Sequence, residues 1–290
     1  MVNVGVHSVA DHTTINVTVY KPLISSFNDL LTEKASQLLL DPTSSIYSAA
    51  PTSISYSSKA DIRYGVFKLA FAGNSTTPVF CNLDSPGGES LCLKQSYYTS
   101  TQSGKRKPYD AATQIPNLVV DICCLVWADQ LMQLVYRFIE CHEHHGVAAA
   151  AASGTAAPAS STSSSKTDSR PLVPVLHFTS SGLACSDDRN TIYLVEELID
   201  PNIEGRYIKY INNSCPKPLS FLPGDEYINV ALFLCFSQHV QYGTTKLAYV
   251  SDFQGKLFDY NLFQYYSLTL LSLESGGLKT LSDPQIITSL

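Results

Sequence analysis

Two short strings, Asp252-Phe253-Gln254-Gly255 and Ser282-Asp283-Pro284-Gln285, carry the residue types best suited to chemistry in this 290-residue chain. Asp252 and Gln254 stand two apart at the end of an apolar run. In extended backbone both side chains face one side, and a carboxylate with an amide oxygen is a hard-donor pair suited to magnesium. Gly255 lets the backbone turn beside a phosphate. Asp and Gly are equally ordinary in a turn that closes a strand, so the residues alone leave both readings open. Asp283 follows Asp252 by thirty-one positions (283 − 252) across an aromatic, poorly charged stretch.

Lys94 sits among apolar residues in a run that reads as a strand, and a helix carrying Asp121 near its start follows. A strand lysine held by an acid from a facing helix would place a cation against phosphates, whereas an ordinary strand lysine points its amine into water. His239, near the end of a predicted helix, reads as an exposed or hydrogen-bonded side chain or as a metal ligand, with no nearby Cys or His partner in sequence. His142, His144 and His145 cluster with Cys141 beside a flexible tract. Pro86-Gly87-Gly88 is a phosphate-covering loop or an ordinary hairpin turn. The Walker-type, nucleophile-elbow and typical protein-kinase motifs are missing from the sequence.

The elements that must position these residues follow from periodicity. Residues 1–58 are rich in Ser, Thr and Pro and read as a poorly ordered arm containing one amphipathic piece, Phe27 to Leu40. Tyr64–Phe71, Thr77–Cys81 and Ser90–Gln95 are short β-rich runs that predict an antiparallel sheet. Asn117 to Glu140 has the three-to-four spacing of an amphipathic helix. An Ala/Ser tract over 146–171 is too poor in large apolar side chains to pack and reads as a linker. Strands are expected at Val175–Phe178, Thr191–Ile199 and Lys246–Ser251, and a helix at Glu226–Gln241.

A net charge of −6 and a single short basic run, Lys105-Arg106-Lys107, argue against a nucleic-acid or anionic-membrane surface. No stretch reaches about 18 uninterrupted apolar residues, and the N-terminus lacks a secretory pattern, so the expectation is an intracellular chain of cytoplasm or nucleus. Eight cysteines without repeated spacing read as reduced core thiols.

Taken together, Tyr193-Leu-Val-Glu196-Glu197-Leu-Ile199, Tyr207-Ile-Lys209-Tyr-Ile-Asn212-Asn213, Phe236-Ser-Gln-His239-Val-Gln-Tyr242, Val250-Ser-Asp252-Phe-Gln254-Gly255 and Ser282-Asp283-Pro284-Gln285-Ile286 resemble the alpha-type protein kinase family, the atypical Ser/Thr kinases. The resemblance spans roughly Asp61 to Thr288. It implies a two-lobed α+β fold with an antiparallel N-lobe sheet over 59–145 and a C-lobe over 172–290. It also implies transfer of the ATP γ-phosphoryl group to an unknown protein substrate, with Mg2+.

By the same resemblance Lys94 contacts the nucleotide phosphates, and Gly65 with Lys68 matches a glycine-x-x-basic element. Glu196 sits at the hinge beside adenine, Lys209 and Asn213 lie near the nucleotide, and Asp252 with Gln254 holds magnesium. Asp283 is the catalytic carboxylate. His239 matches a zinc histidine, but the family's other zinc ligands fall past Leu290, which implies an incomplete zinc site and a truncated C-lobe.

In the family the two aspartates are about ten positions apart. Deleting 256–276 restores that interval by joining Gly255 to Gly277. Gly-Lys after Gln254 can be encoded by GGTAAG, a splice donor, so 256–276 is expected to be an inserted segment of retained-intron type. A genuine family insertion is the other reading. The rival function is a catalytically impaired pseudokinase that binds ATP or serves as an interaction module.

Overall fold

The computed structural model describes residues 12–24, 26–57, 62–80, 88–152, 173–199, 207–212, 215–257, 279–282 and 284–288. The chain forms two compact units, Met1–Trp127 with Thr179–Asp200, and Ala128–Phe178 with Pro201–Leu290.

The first unit is built on strands β1 (His12–Pro22), β2 (Tyr47–Ser57), β3 (Arg63–Tyr64), β4 (Lys68–Ser75), β5 (Ser90–Thr99), β6 (Arg106–Pro108), β8 (Ser181–Ser186) and β9 (Ile192–Glu197). They lie in the order β3-β4-β2-β1-β8-β9-β5-β6, and β4 also pairs with β5. That extra pairing closes β4-β2-β1-β8-β9-β5 into a ring of antiparallel neighbours. A closed sheet has no unpaired edge within the ring.

Of the expected poorly ordered arm over 1–58, the described residues 12–24 and 26–57 are strands, short helices and their connections. His12–Pro22 pairs along its whole length with β2, and part of it also pairs with β8. Its alternation of Ile15, Val17 and Val19 with Thr and Asn is the period of a half-buried strand. The region from Phe27 to Leu40 forms two short helices, α1 (Phe27–Leu30) and α2 (Glu33–Leu39), capped by Ser26 and Thr32 side chains that accept from Asp29 and Ala35 N–H. The expected strand at Thr77–Cys81 is absent over its described residues. There the Glu89 carboxylate accepts from the N–H groups of Val79 and Phe80, at 2.7 and 2.9 Å, and holds an irregular turn.

Val17, Val19, Ile54, Leu91, Leu93 and Val195 fill one face of the sheet. On the other face Leu183, Ile192 and Leu194 pack with Leu118, Val119 and Ile122 of helix α3 (Ala111–Ala152). This helix is longer than the expected Asn117–Glu140 and runs into the Ala/Ser tract. Pro116 lies one turn inside it, where only one ladder donor is lost. Over Ala111–His142 it is long and apolar enough to cross a membrane by length and composition, and half of its apolar window is buried within the protein.

The second unit holds α3 from Ala128 onward, β7 (Leu176–Phe178), β10 (Tyr207–Lys209), β11 (Ile211–Asn212), β12 (Cys215–Pro218), α4 (Asp225–Thr245), β13 (Ala248–Ser251), β14 (Gln254–Leu257), β15 (Lys279–Ser282) and β16 (Gln285–Thr288). One sheet has the order β10-β14-β15-β7, and β11–β12 and β13–β16 form two-stranded pairs. The Tyr136 hydroxyl on α3 accepts from Leu176 N–H at 2.7 Å and donates to the Pro174 carbonyl at 3.0 Å, which fixes the entry to β7. Helix α4 starts with Asp225 and Glu226 in its first turn, complementing its dipole, and ends at Lys246 with φ 57°. The structure is thus a mixed α+β arrangement with an antiparallel sheet in its first unit, as the sequence leads one to expect.

Candidate functional site

In the first unit, Lys94 lies on β5 opposite Leu194 of β9, and Cys92 lies opposite Glu196. Leu93 faces the interior cluster, so strand alternation puts Lys94 and Glu196 on the face shared with Ile192 and Leu194. The two meet diagonally, Lys94 Nζ donating to Glu196 Oε2 at 2.9 Å, with side chains 11% and 3% exposed. Thr179 Oγ1 also donates to Glu196 Oε2, at 3.4 Å. The acid that holds Lys94 therefore comes from the neighbouring strand and not from the helix. Asp121 is instead engaged by Lys68, Nζ to Oδ2 at 2.7 Å, and both side chains are part-exposed.

Gly65 and Lys68 close the β3–β4 hairpin, Gly65 N–H donating to the Lys68 carbonyl at 2.8 Å. Val66 and Phe67 stand exposed at its tip, and Arg106 covers the rings of Tyr64 and Tyr97 beside it. A cavity of about 320 Å³ lies here, lined by Lys68, Asp121, Phe67, Tyr97, Tyr109 and Val120 among others. Gly88 is the described part of the glycine pair before β5. A Cβ there would lie 1.6 Å from the Ser75 carbonyl oxygen, so the chains approach too closely for any side chain.

In the second unit, Asp252 follows β13 with φ 58°, in the left-handed region that a non-glycine residue rarely adopts. The extended backbone expected from Asp252 to Gln254 is therefore broken. A corner at Asp252-Phe253 separates β13 from β14, and Gln254 is the first residue of β14. Asp252 Oδ1 forms an ion pair with Lys209 Nζ of β10, and β10 pairs with β14 through Lys209↔Gln254. Phe253 is fully buried beside Phe178, and its carbonyl accepts from Tyr210 N–H at 2.8 Å, anchoring the corner.

Two ladders bracket that corner. Ser251 pairs with Gln285 in β13–β16, and Gln254 pairs with Ser282 in β14–β15. The halves of the motif, separated in sequence, are thus joined in register on both sides. Of 256–276, only Lys256 and Leu257 are described, as the end of β14, where they pair with Thr280 and Lys279. Asp283 and Asn213 lie outside the described residues.

His239 is exposed on α4, and His142 Nδ1 contacts the Phe138 carbonyl at 2.8 Å within its own helix. The side chains of His144 and His145 lie outside the described residues. Among the described residues no group of three or more His, Cys, Asp or Glu converges as a metal site. The seven described cysteines are free of disulfides, and Cys141 and Cys215 are exposed where core thiols are expected. Burial pushes the Cys123 thiol up to about 12 and Cys185 up to about 11, which keeps both protonated and poor as nucleophiles. Sequence reading passed over Thr179 and gave no role to Gln238 and Gln241, which it quoted only within the Phe236–Tyr242 string. Two amides three apart on a helix face that also buries Val230, Leu234 and Ser237 were the available signal for the last two.

No protein-family model and no curated protein matches the chain. Among solved structures, a catalytic-domain mutant of myosin heavy chain kinase A is similar at 11% identity, with a TM-score of 0.43, covering 97% of this chain and 85% of that one. The alpha-kinase domain of myosin heavy chain kinase A in complex with ADP is similar at 13% identity, again with a TM-score of 0.43 and coverage of 97% and 85%. A likeness at this level assigns no residue a role and this chain no activity.

Proposed function

We propose that the chain is an ATP-dependent protein serine/threonine kinase of the alpha type. The observation that carries this reading is the double register Ser251↔Gln285 and Gln254↔Ser282, which ties together two strings that the alpha-kinase resemblance implies are one loop. The Lys94–Glu196 pair adds a buried, oriented cation on a strand. In this reading Lys94 contacts the nucleotide phosphates, the role that the resemblance implies for it. Glu196 acts by holding Lys94, which its burial and pairing support better than a place beside adenine. A substrate hydroxyl attacks the γ-phosphorus, the bond to the ADP oxygen breaks, and the hydroxyl proton passes to Asp283.

Asp252, at the corner, and Gln254, the first residue of β14, would hold magnesium, because their oxygens are the hard donors that ion takes. Bound there, the ion would neutralise phosphate charge. The described residues do not fit zinc, and no role is derived for His239 as its ligand.

One experiment tests the assignment. Purified full chain is incubated with Mg2+ and γ-labelled ATP over a Ser/Thr-containing protein mixture, beside Asp252→Ala. Label transfer is expected from the wild type and a loss of about 10²-fold or more from the variant. A thermal shift with Mg·ATP but no transfer would favour the pseudokinase, an outcome made reasonable by Lys209 occupying the Asp252 carboxylate. Neither binding nor transfer would leave an interaction module on the same fold.

A further inference from the structure

Among the described residues, strand β13 pairs along one edge, with β16, in a two-stranded sheet. In an extended strand the N–H and C=O of one residue point to the same side. At Val250 both are taken from helix α4. Gln238 Nε2 donates to the Val250 carbonyl at 2.9 Å, and Val250 N–H donates to Gln241 Oε1 at 2.9 Å. The two glutamines lie three apart on one helix face and are 4% and 0% exposed, so their amides supply the donor and acceptor that a third strand would have offered.

This arrangement carries a cost that packing alone would not require. Gln238 Oε1 and Gln241 Nε2, the unused ends of the two amides, are buried without a hydrogen-bond partner. Apolar side chains of the same length would remove those two orphaned ends but leave the buried Val250 N–H and carbonyl unpaired in their place, so the amides serve the strand and not the packing. What the amides add is fixation of β13 two residues before Asp252, a residue held at φ 58° that would relax toward commoner backbone if the strand end could shift. The first unit repeats the device. Gln114 of α3, 1% exposed, accepts from Ser96 N–H at 3.1 Å and donates to the Ser96 carbonyl at 2.7 Å, two residues beyond Lys94.

We propose that Gln238 and Gln241 are positioning residues for phosphoryl transfer, acting through Val250 to keep the Asp252 carboxylate in place. This rests on the kinase reading of Asp252. The test compares Gln238→Met, Gln241→Met, Gln238→Glu and Gln241→Glu in the full chain, each assayed below its own unfolding transition, by amide hydrogen exchange at Val250 and by steady-state kinetics.

Both Met variants are expected to speed exchange at Val250 about tenfold and to lower kcat about tenfold or more, with KM for ATP little changed, since small misplacements near reacting groups act on kcat. Gln241→Glu keeps an acceptor for Val250 N–H and should restore both readouts toward wild type. Gln238→Glu turns an acceptor on the Val250 carbonyl and should not. Equal damage from the two Glu variants, or unchanged exchange in the Met variants, overturns the clamp. Faster exchange with unchanged kcat overturns the positioning role. A wild-type chain that transfers no phosphate overturns the kinase reading and with it that role, while the exchange measurements still decide the clamp.

Discussion

Lys94 and Glu196 stand 102 positions apart in sequence and 2.9 Å apart in space, with little water around either side chain. Two charges so placed are stable as a pair and costly apart, because removing one leaves the other without its counter-charge. Lys94→Met should therefore cost about 3–5 kcal/mol of stability, and the double variant Lys94→Met/Glu196→Met should recover most of it. Urea unfolding at neutral pH reads both; equal losses in single and double variants would reject the coupling. The part-exposed Lys68–Asp121 pair should matter far less, below about 1 kcal/mol. The sequence revealed Lys94 as a charged residue in a strand but named the wrong acid. Which carboxylate meets it depends on β5 lying beside β9, and no local pattern encodes that pairing.

The elements were legible where their period was strong. Helix α4 and strands β5, β7 and β9 fall close to their expected places, because apolar spacing there is unambiguous. Strands β1 and β2 were missed because their Ser, Thr and Pro content outweighed a period-two alternation that was present in His12–Pro22. Near the motif, the left-handed Asp252 could not be foreseen, since an isolated Asp before an aromatic residue does not announce its φ. The ladder β14–β15 has a direct consequence for the interruption. Leu257↔Lys279 is a closing pair, so replacing residues 258–278 with Asn-Gly gives a two-residue hairpin. That variant should unfold cooperatively with stability unchanged or raised by up to about 2 kcal/mol, from the shorter loop alone. Deleting 256–276 instead keeps Gln254↔Ser282 and Gly255↔Leu281, with residues 277–280 as the connecting loop. Loss of cooperative unfolding in the hairpin variant, followed by circular dichroism, would contradict the register.

At the scale of the whole chain, neither unit is one continuous stretch. The first takes Met1–Trp127 and then Thr179–Asp200, and the returning piece supplies β8 and β9, which sit between β1 and β5. Residues 1–127 alone would expose the edges of β1 and β5 and should aggregate. The same residues joined through a flexible linker to 179–200 should remain soluble and melt in one cooperative transition by calorimetry. A soluble, cooperative 1–127 fragment would refute this division. The inner position of β8 also sets a timetable for synthesis. Val17 meets Ser186, 169 residues later (186 − 17), so at about 5–20 residues per second β1 leaves the ribosome roughly ten to thirty seconds before its neighbour exists. During that interval its open side is a ready surface for a chaperone, and codon choice or translational pausing between the two strands becomes a determinant of how much chain reaches the closed ring.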